Sequence, residues 1–280
     1  MPVSRPQRFV SVCFVLVGLA ALSGSGCAAA TPSLNAITTR PLSAHSEDAG
    51  GIIFVVDGAG DFQACSQHVR QAVERDHLAI PVVTVQWSHG YGRIIADQIG
   101  YAYARAQGFN LAHMLRQYRL EHPTVAIHLV AHSAGSAVAI TALENLPPET
   151  VDRIFLLAPS LSASYDIRPA LQKVKDGLHV FYSKRDTAYL GIWTGILGNS
   201  DRRWGASSGR IGFQITCASA EDSLLLKKLW QRPWQPGDRA SGNDGKHYGD
   251  HHPDFVRLHV LPLVATPPKA SPISGLPPAT

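Results

Sequence analysis

The sequence predicts an α/β protein, with a mostly parallel sheet and helices on both of its faces, in a single domain. Three observations predict it. Apolar runs, at residues 52–56, 125–130 and 154–158, alternate with stretches of helical period. A strand that is apolar throughout is one buried on both faces, as in parallel sheets. The third observation is the run His128-Leu129-Val130-Ala131-His132-Ser133-Ala134-Gly135. It passes from a β-prone stretch through a compact turn into small residues that let a helix approach a strand closely. In such sheets the chemistry gathers beyond the carboxyl ends of the strands.

Composition sets the bounds. The chain has 280 residues, which suits one medium domain with flanking segments, and is 45% hydrophobic. Its net charge of +4 comes from 25 Lys and Arg against 21 Asp and Glu. That charge is slight and scattered, with no basic stripe interleaved with aromatics, so nucleic acid is excluded as a partner. The 13 histidines do not pair as His-x-x-x-His on one predicted helix, so no metal site is assigned.

Residues 1–30 read as a targeting segment. Arg5 and Arg8 make a positive start, residues 9–22 form an apolar core too short for a comfortable span, and small residues follow. Cys27 after Gly26 resembles the lipidated cysteine of bacterial lipoproteins, although Gly24 stands where that signal has Leu. Ala28-Ala29-Ala30 offers an ordinary signal-peptidase site instead, and an uncleaved anchor helix is the third reading. The expected location is therefore outside the cytoplasm, as a periplasmic, membrane-anchored or secreted protein. Residues 31–50 read as a linker and 51–265 as the folded domain. The proline-rich tail, 266–280, reads as disordered. Removing the leader leaves Cys65 and Cys217. They either form a disulfide or stay as separate buried thiols.

Within the domain, 52–56 is the first strand and ends in Asp57-Gly58-Ala59-Gly60-Asp61. A helix over 62–77 follows, with Cys65, Val69, Ala72 and Val73 on its inner side. Residues 81–87 are the second strand, and the loop after it carries His89. Residues 93–120 are helical, with Ile95, Ile99, Ala102 and Ala106 on one stripe and Gly108 as the point of bend or division. The central strand, the turn and a helix over 134–145 come next. Residues 152–158 are a strand, 169–174 a short helix, and 178–182 a strand that ends before Asp186. The loop 188–209 is rich in large apolar residues, including Trp193 and Trp204. It reads as a lid or acyl-binding wall, or as a loop folded onto the core. Residues 210–216 read as the last strand, 221–230 as a helix, and 254–264 as the final helix.

The turn Ala131-His132-Ser133-Ala134-Gly135 is one residue away from Gly-x-Ser-x-Gly, the strained strand-to-helix elbow that presents a nucleophilic serine. A serine hydroxyl needs a base to take its proton, and a histidine needs a carboxylate to fix its tautomer. The chain offers Ser133, then Asp186, then His247, His251 and His252. In this order of elements the sequence resembles the α/β-hydrolase superfamily, on the esterase and lipase side, as an exported bacterial member. The likeness runs from about residue 51 to 264, and only the elbow is motif-specific. It implies a nucleophile after the superfamily's fifth strand, an acid after the seventh, and a base in a loop before the last helix.

Ser133, Asp186 and His247 take those places. Asp186 also reads as a plain turn residue, and Asp166 is the rival acid. Asp57 precedes the serine and shapes the first loop. His247 is preferred over His251 and His252 because it follows Gly245 and leaves room before the helix. His132 packs beside the elbow and is directed away from the serine. The oxyanion hole falls to the amides of Ala134 and Ala59, with Gly60 next. Gly58, Gly60, His89 and Trp193 are the expected substrate-binding residues. The glycine-rich first loop lacks the spacing of a nucleotide-binding fingerprint.

The implied activity is hydrolysis of a small-molecule carboxylic ester through an acyl-enzyme, without metal or cofactor. Its rivals are acyl transfer or peptide hydrolysis by the same residues, and a non-catalytic binding protein on the same fold. Membrane attachment would run through a lipidated Cys27. Acyl and alcohol preference and oligomeric state are left open.

Overall fold

The structure, a computed structural model, describes residues 51–187 and 198–265. The N-terminal segment, the residues 188–197 and the tail after 265 lie outside the described residues, as do Cys27 and Trp193.

The chain order is β1 (Ile52–Val56), α1 (Ala64–Arg75), β2 (Val82–Thr84), α2 (Ile94–Ile99), α3 (Tyr101–Glu121), β3 (Ile127–His132) and α4 (Gly135–Glu144). Then come β4 (Val151–Leu157), α5 (Arg168–Leu171), β5 (Val174–Tyr182), α6 (Ser208–Ile211), α7 (Ala220–Leu226) and β6 (Leu229–Pro233). Two 3-10 turns, Pro236–Ser241 and Gly249–His251, lead to α8 (Pro253–His259) and α9 (Leu261–Ala265). The six strands form one sheet in the order β2-β1-β3-β4-β5-β6, and every pairing is parallel. No helix among the described residues is long and apolar enough to cross a membrane.

Alternation along the strands divides the core. Ile52, Phe54 and Val56 of β1 join a cluster with Leu111 and Leu115 of α3 and Val138 of α4. Ile53 and Val55 face the other way, onto Val69 of α1 and Phe255 and Val256 of α8. The period-two pattern of a strand thus buries both faces at once. The inner side predicted for α1 is the buried side.

Four expectations need correction. The long helix divides at Gly100, not at Gly108. Gly108 is instead the point of closest approach to α4, where a Cβ would stand 2.6 Å from that of Thr141. The predicted stripe faces outward on both sides of the break: Ile95, Ile99, Ala102 and Ala106 are exposed, and Ala104, Gly108, Leu111 and Leu115 are buried. Residues 210–216 are not the last strand, and the helix expected over 221–230 ends at Leu226 and gives way to β6. The reason is local. Gly212 has φ 76°, and the Gln231 side-chain amide accepts from Phe213 N (2.6 Å) and donates to Phe213 O (3.0 Å). One side chain thus takes the backbone groups that a strand would pair. Cys65 is buried, Cys217 is exposed, and both are free thiols.

Candidate active site

Ser133 sits between the end of β3 and the start of α4 with φ 51°. A non-glycine residue held there costs about 1–3 kcal/mol, and the surrounding packing must impose it. Gly135 shows how: a Cβ on it would stand 2.5 Å from the Val56 carbonyl oxygen and clash equally with that of Asp57. The Ser133 carbonyl accepts from Ser136 Oγ (2.6 Å) and Ser136 N (3.0 Å), which pins the turn. Ala131 is fully buried in β3, so a methyl is accommodated where the elbow motif has its first glycine.

His247 lies in the loop between the two 3-10 turns, beyond β6. Its Nε2 is 2.9 Å from Ser133 Oγ, and its Nδ1 is 2.6 Å from Asp186 Oδ2. A carboxylate accepts only, so Nδ1 carries the proton and Nε2 accepts from the serine hydroxyl. Asp186 and His247 are buried, and Ser133 is 8% exposed. Asp186 closes a turn after β5 by donating its amide to Ser183 O (3.1 Å). The two loops are tied together. Arg185 Nε donates to Asp244 O (3.2 Å), Trp234 N to Tyr182 O (2.8 Å), and Trp234 Nε1 to Asn243 O (3.0 Å). Gly245, with φ 81°, passes so close to Arg185 and Trp234 that a side chain there would meet both.

The other predicted residues fall elsewhere. Asp166 is on the surface and pairs with Arg168 at 2.7 Å. Asp57 accepts from the amide and hydroxyl of Ser66 at the start of α1, and burial raises its carboxyl. His132 Nε2 donates to the His247 carbonyl at 3.0 Å. Burial, with His251 and His247 beside it, holds this ring well below the ordinary histidine range. His251 meets His68 at 2.9 Å between their Nδ1 atoms. His252 caps α8, its Nδ1 accepting from Asp254 N at 3.4 Å.

A cavity of about 520 Å³ opens onto Ser133 and His247. The loop after β1 and α2 form its walls. Gly58 and Ala59 border it, and a Cβ on Gly58 would stand 3.2 Å from that of Ser133. Gly60 and His89 lie behind the wall. The Gly60 amide donates to Asp97 Oδ2 (2.8 Å). His89 donates to Asp97 Oδ1 from its backbone (2.9 Å) and meets it through Nδ1 (2.8 Å). Of the two first-loop amides weighed, that of Gly60 is therefore engaged.

Asp97, a buried member of α2, ties the loop after β1 to the loop after β2. Sequence reasoning missed it, because one acidic residue in a helical stretch carries no signal of its own. It also missed Phe62, Ile94, Ile95 and Tyr248 as cavity residues.

Residues 46–209 match the family described as "Alpha/beta hydrolase of unknown function (DUF900)". That span contains Ser133 and Asp186 and ends ahead of His247. Among solved structures the chain is similar to an uncharacterized protein from Bacillus cereus ATCC 10987. Identity is 14% and TM-score 0.43, with 78% of this chain covered and 61% of that one. The chain thus spans less than two thirds of that protein. It is similar to a lipase-esterase related protein from Clostridium acetobutylicum ATCC 824, at 9% identity and TM-score 0.44, covering 78% and 93%. An esterase of Pyrococcus furiosus matches at 9% identity and TM-score 0.43, covering 79% and 81%. No curated protein matches the chain by sequence.

Proposed function

The chain belongs to this α/β-hydrolase family, and from that premise we propose that it is a serine hydrolase cleaving carboxylic esters through an acyl-enzyme. The observation that carries the reading is the unbroken line from Ser133 Oγ to His247 Nε2 (2.9 Å) and from His247 Nδ1 to Asp186 Oδ2 (2.6 Å), opening on an apolar cavity. In this reading His247 takes the hydroxyl proton as Ser133 Oγ attacks the ester carbonyl carbon. Asp186 accepts from Nδ1–H and supports the imidazolium. The amides of Ala134, at the start of α4, and Ala59, in the first loop, donate to the oxyanion. Collapse breaks the carbon–oxygen bond, and the leaving alcohol receives the proton from His247. Water then repeats the sequence on the acyl-serine and releases the acid. The composition of residues 1–30 supports action after export.

The test is labelling of the full chain with a small fluorophosphonate, alongside hydrolysis of p-nitrophenyl butanoate. Both are expected in the wild type and absent in Ser133→Ala. Asp186→Asn is expected to retain the geometry and lose on the order of 10⁴-fold in kcat, as in a serine protease whose triad aspartate is replaced. Folded wild-type protein that neither labels nor hydrolyses overturns the proposal.

A further inference from the structure

The cavity wall is mainly apolar, and several of its polar groups face other partners. Asp57 is engaged by Ser66, and His132 by the His247 carbonyl. Gln63 donates to Asp61 Oδ1 at 3.4 Å, and Gln98 to Gly198 O at 3.5 Å. What faces the space between the first loop and α2 is mainly Phe62, Ala64, Ile94, Ile95 and Ala96. A pocket that selects a polar acyl group needs a few fixed polar contacts. Here Arg93 and Tyr248 also line the space, and the rest of the wall offers mainly apolar area.

The rim continues the same chemistry outward. Phe62 is 41% exposed, Ile94 44%, Ile95 57% and Tyr91 79%. The rings of Phe62 and Tyr91 meet edge to face at 5.2 Å and bridge the first loop to the start of α2. An apolar floor beside a nucleophile, continuous with an exposed apolar rim, suits a flexible hydrocarbon that slides in from outside. Resting on the serine-hydrolase reading, we propose that the preferred substrates are esters of long aliphatic acids. Their acyl chain lies in this cavity against α2, and the carbonyl sits at Ser133.

The chain-length profile tests this. Each methylene taken out of water is worth a factor of about four. The kcat/KM of the full chain on p-nitrophenyl octanoate is therefore expected to exceed that on the butanoate by on the order of a hundredfold. Ala96→Trp fills the cavity from α2 and is expected to return the octanoate to within about tenfold of the butanoate. The readout is the ratio of octanoate to acetate turnover, and thermal unfolding of the same sample reports that the variant is folded. Ile95→Asp, at the rim, is expected to raise KM for the octanoate more than for the butanoate. A flat or falling profile with intact labelling at Ser133 overturns the acyl-chain proposal and leaves the hydrolase reading standing. Loss of both labelling and turnover in folded wild type overturns the two together.

Discussion

Gly135→Ala is the sharpest test of how the elbow works, because its effect can be worked from the structure. The new methyl stands 2.5 Å from the Val56 carbonyl oxygen and 3.0 Å from its carbon, where ordinary contact begins near 3.4 Å. The obstacles are backbone atoms of a fully buried strand, so β1 cannot yield and α4 must retreat. Overpacking of this kind costs about 1–3 kcal/mol. The retreat is roughly 1 Å at a point two residues from Ser133, and a misplacement of that size costs on the order of a hundredfold in rate.

The assay is the second-order rate of fluorophosphonate labelling, with thermal unfolding measured on the same samples. Gly108→Ala is the control. It crowds Thr141 of the same helix, with a Cβ at 2.6 Å, but away from the elbow. Both variants are expected to lose stability, and only Gly135→Ala to lose labelling by about a hundredfold. Equal labelling losses would mean that rate follows stability rather than local geometry. Wild-type labelling in Gly135→Ala would refute the claim that close strand–helix contact positions the serine.

Other outcomes follow from single groups. Asp97→Asn replaces acceptors for Gly60 N, Ser88 Oγ and His89 with an amide that also donates. Mispairing of buried donors costs about 1–3 kcal/mol, and acylation is expected to slow through displacement of Ala59, in a stopped-flow burst. Burial, with Asp186 beside it, raises the Asp250 carboxyl well above its ordinary range, and its Oδ1 has no hydrogen-bond partner among the described residues. The folded state holds that proton and the unfolded chain does not, so stability falls as pH rises above the ordinary carboxylate range. Asp250→Asn is therefore expected to raise Tm at pH 7 and to leave it unchanged at pH 3. His179, stacked at 5.1 Å on Phe155, is pushed down to about 4, chiefly by burial. Here the unfolded chain binds the proton first, so stability present above pH 6.5 drains away as pH falls toward 4. At about 1.36 kcal/mol per unit, that single ring contributes about 3 kcal/mol at most. His179→Phe is expected to flatten the acid side of a Tm-against-pH curve, and an unaltered slope sinks the assignment.

The sheet could be read from the sequence wherever a strand is buried on both faces. β1 and residues 129–131 of β3 and 154–157 of β4 are continuous apolar runs because parallel strands between helix layers have two apolar faces to fill. The meeting of Ser133, His247 and Asp186 follows from the same fact. Loops beyond the carboxyl ends of neighbouring parallel strands converge, so residues 53 and 61 positions apart in sequence close on one another. β6 was hidden for the converse reason. It is an edge strand pairing only with β5, it is half-exposed, and it contains Trp230 and Pro233. An edge can carry such residues without an apolar run to betray it. Residues 211–215 have the alternating pattern that β6 lacks, yet the side chain of Gln231 holds them outside the sheet.

The misreading of α2 has a different cause. An apolar stripe was assumed to face the core, and Ile94, Ile95 and Ile99 instead surround the cavity mouth or face solvent. A hydrophobic residue beside a cavity obeys the same pattern as one in a core, so period alone cannot separate them. Of the departures from sequence expectation, the one at α2 lies beside Ser133 and the cavity. Local rules are expected to fail in this way where packing has yielded to a site.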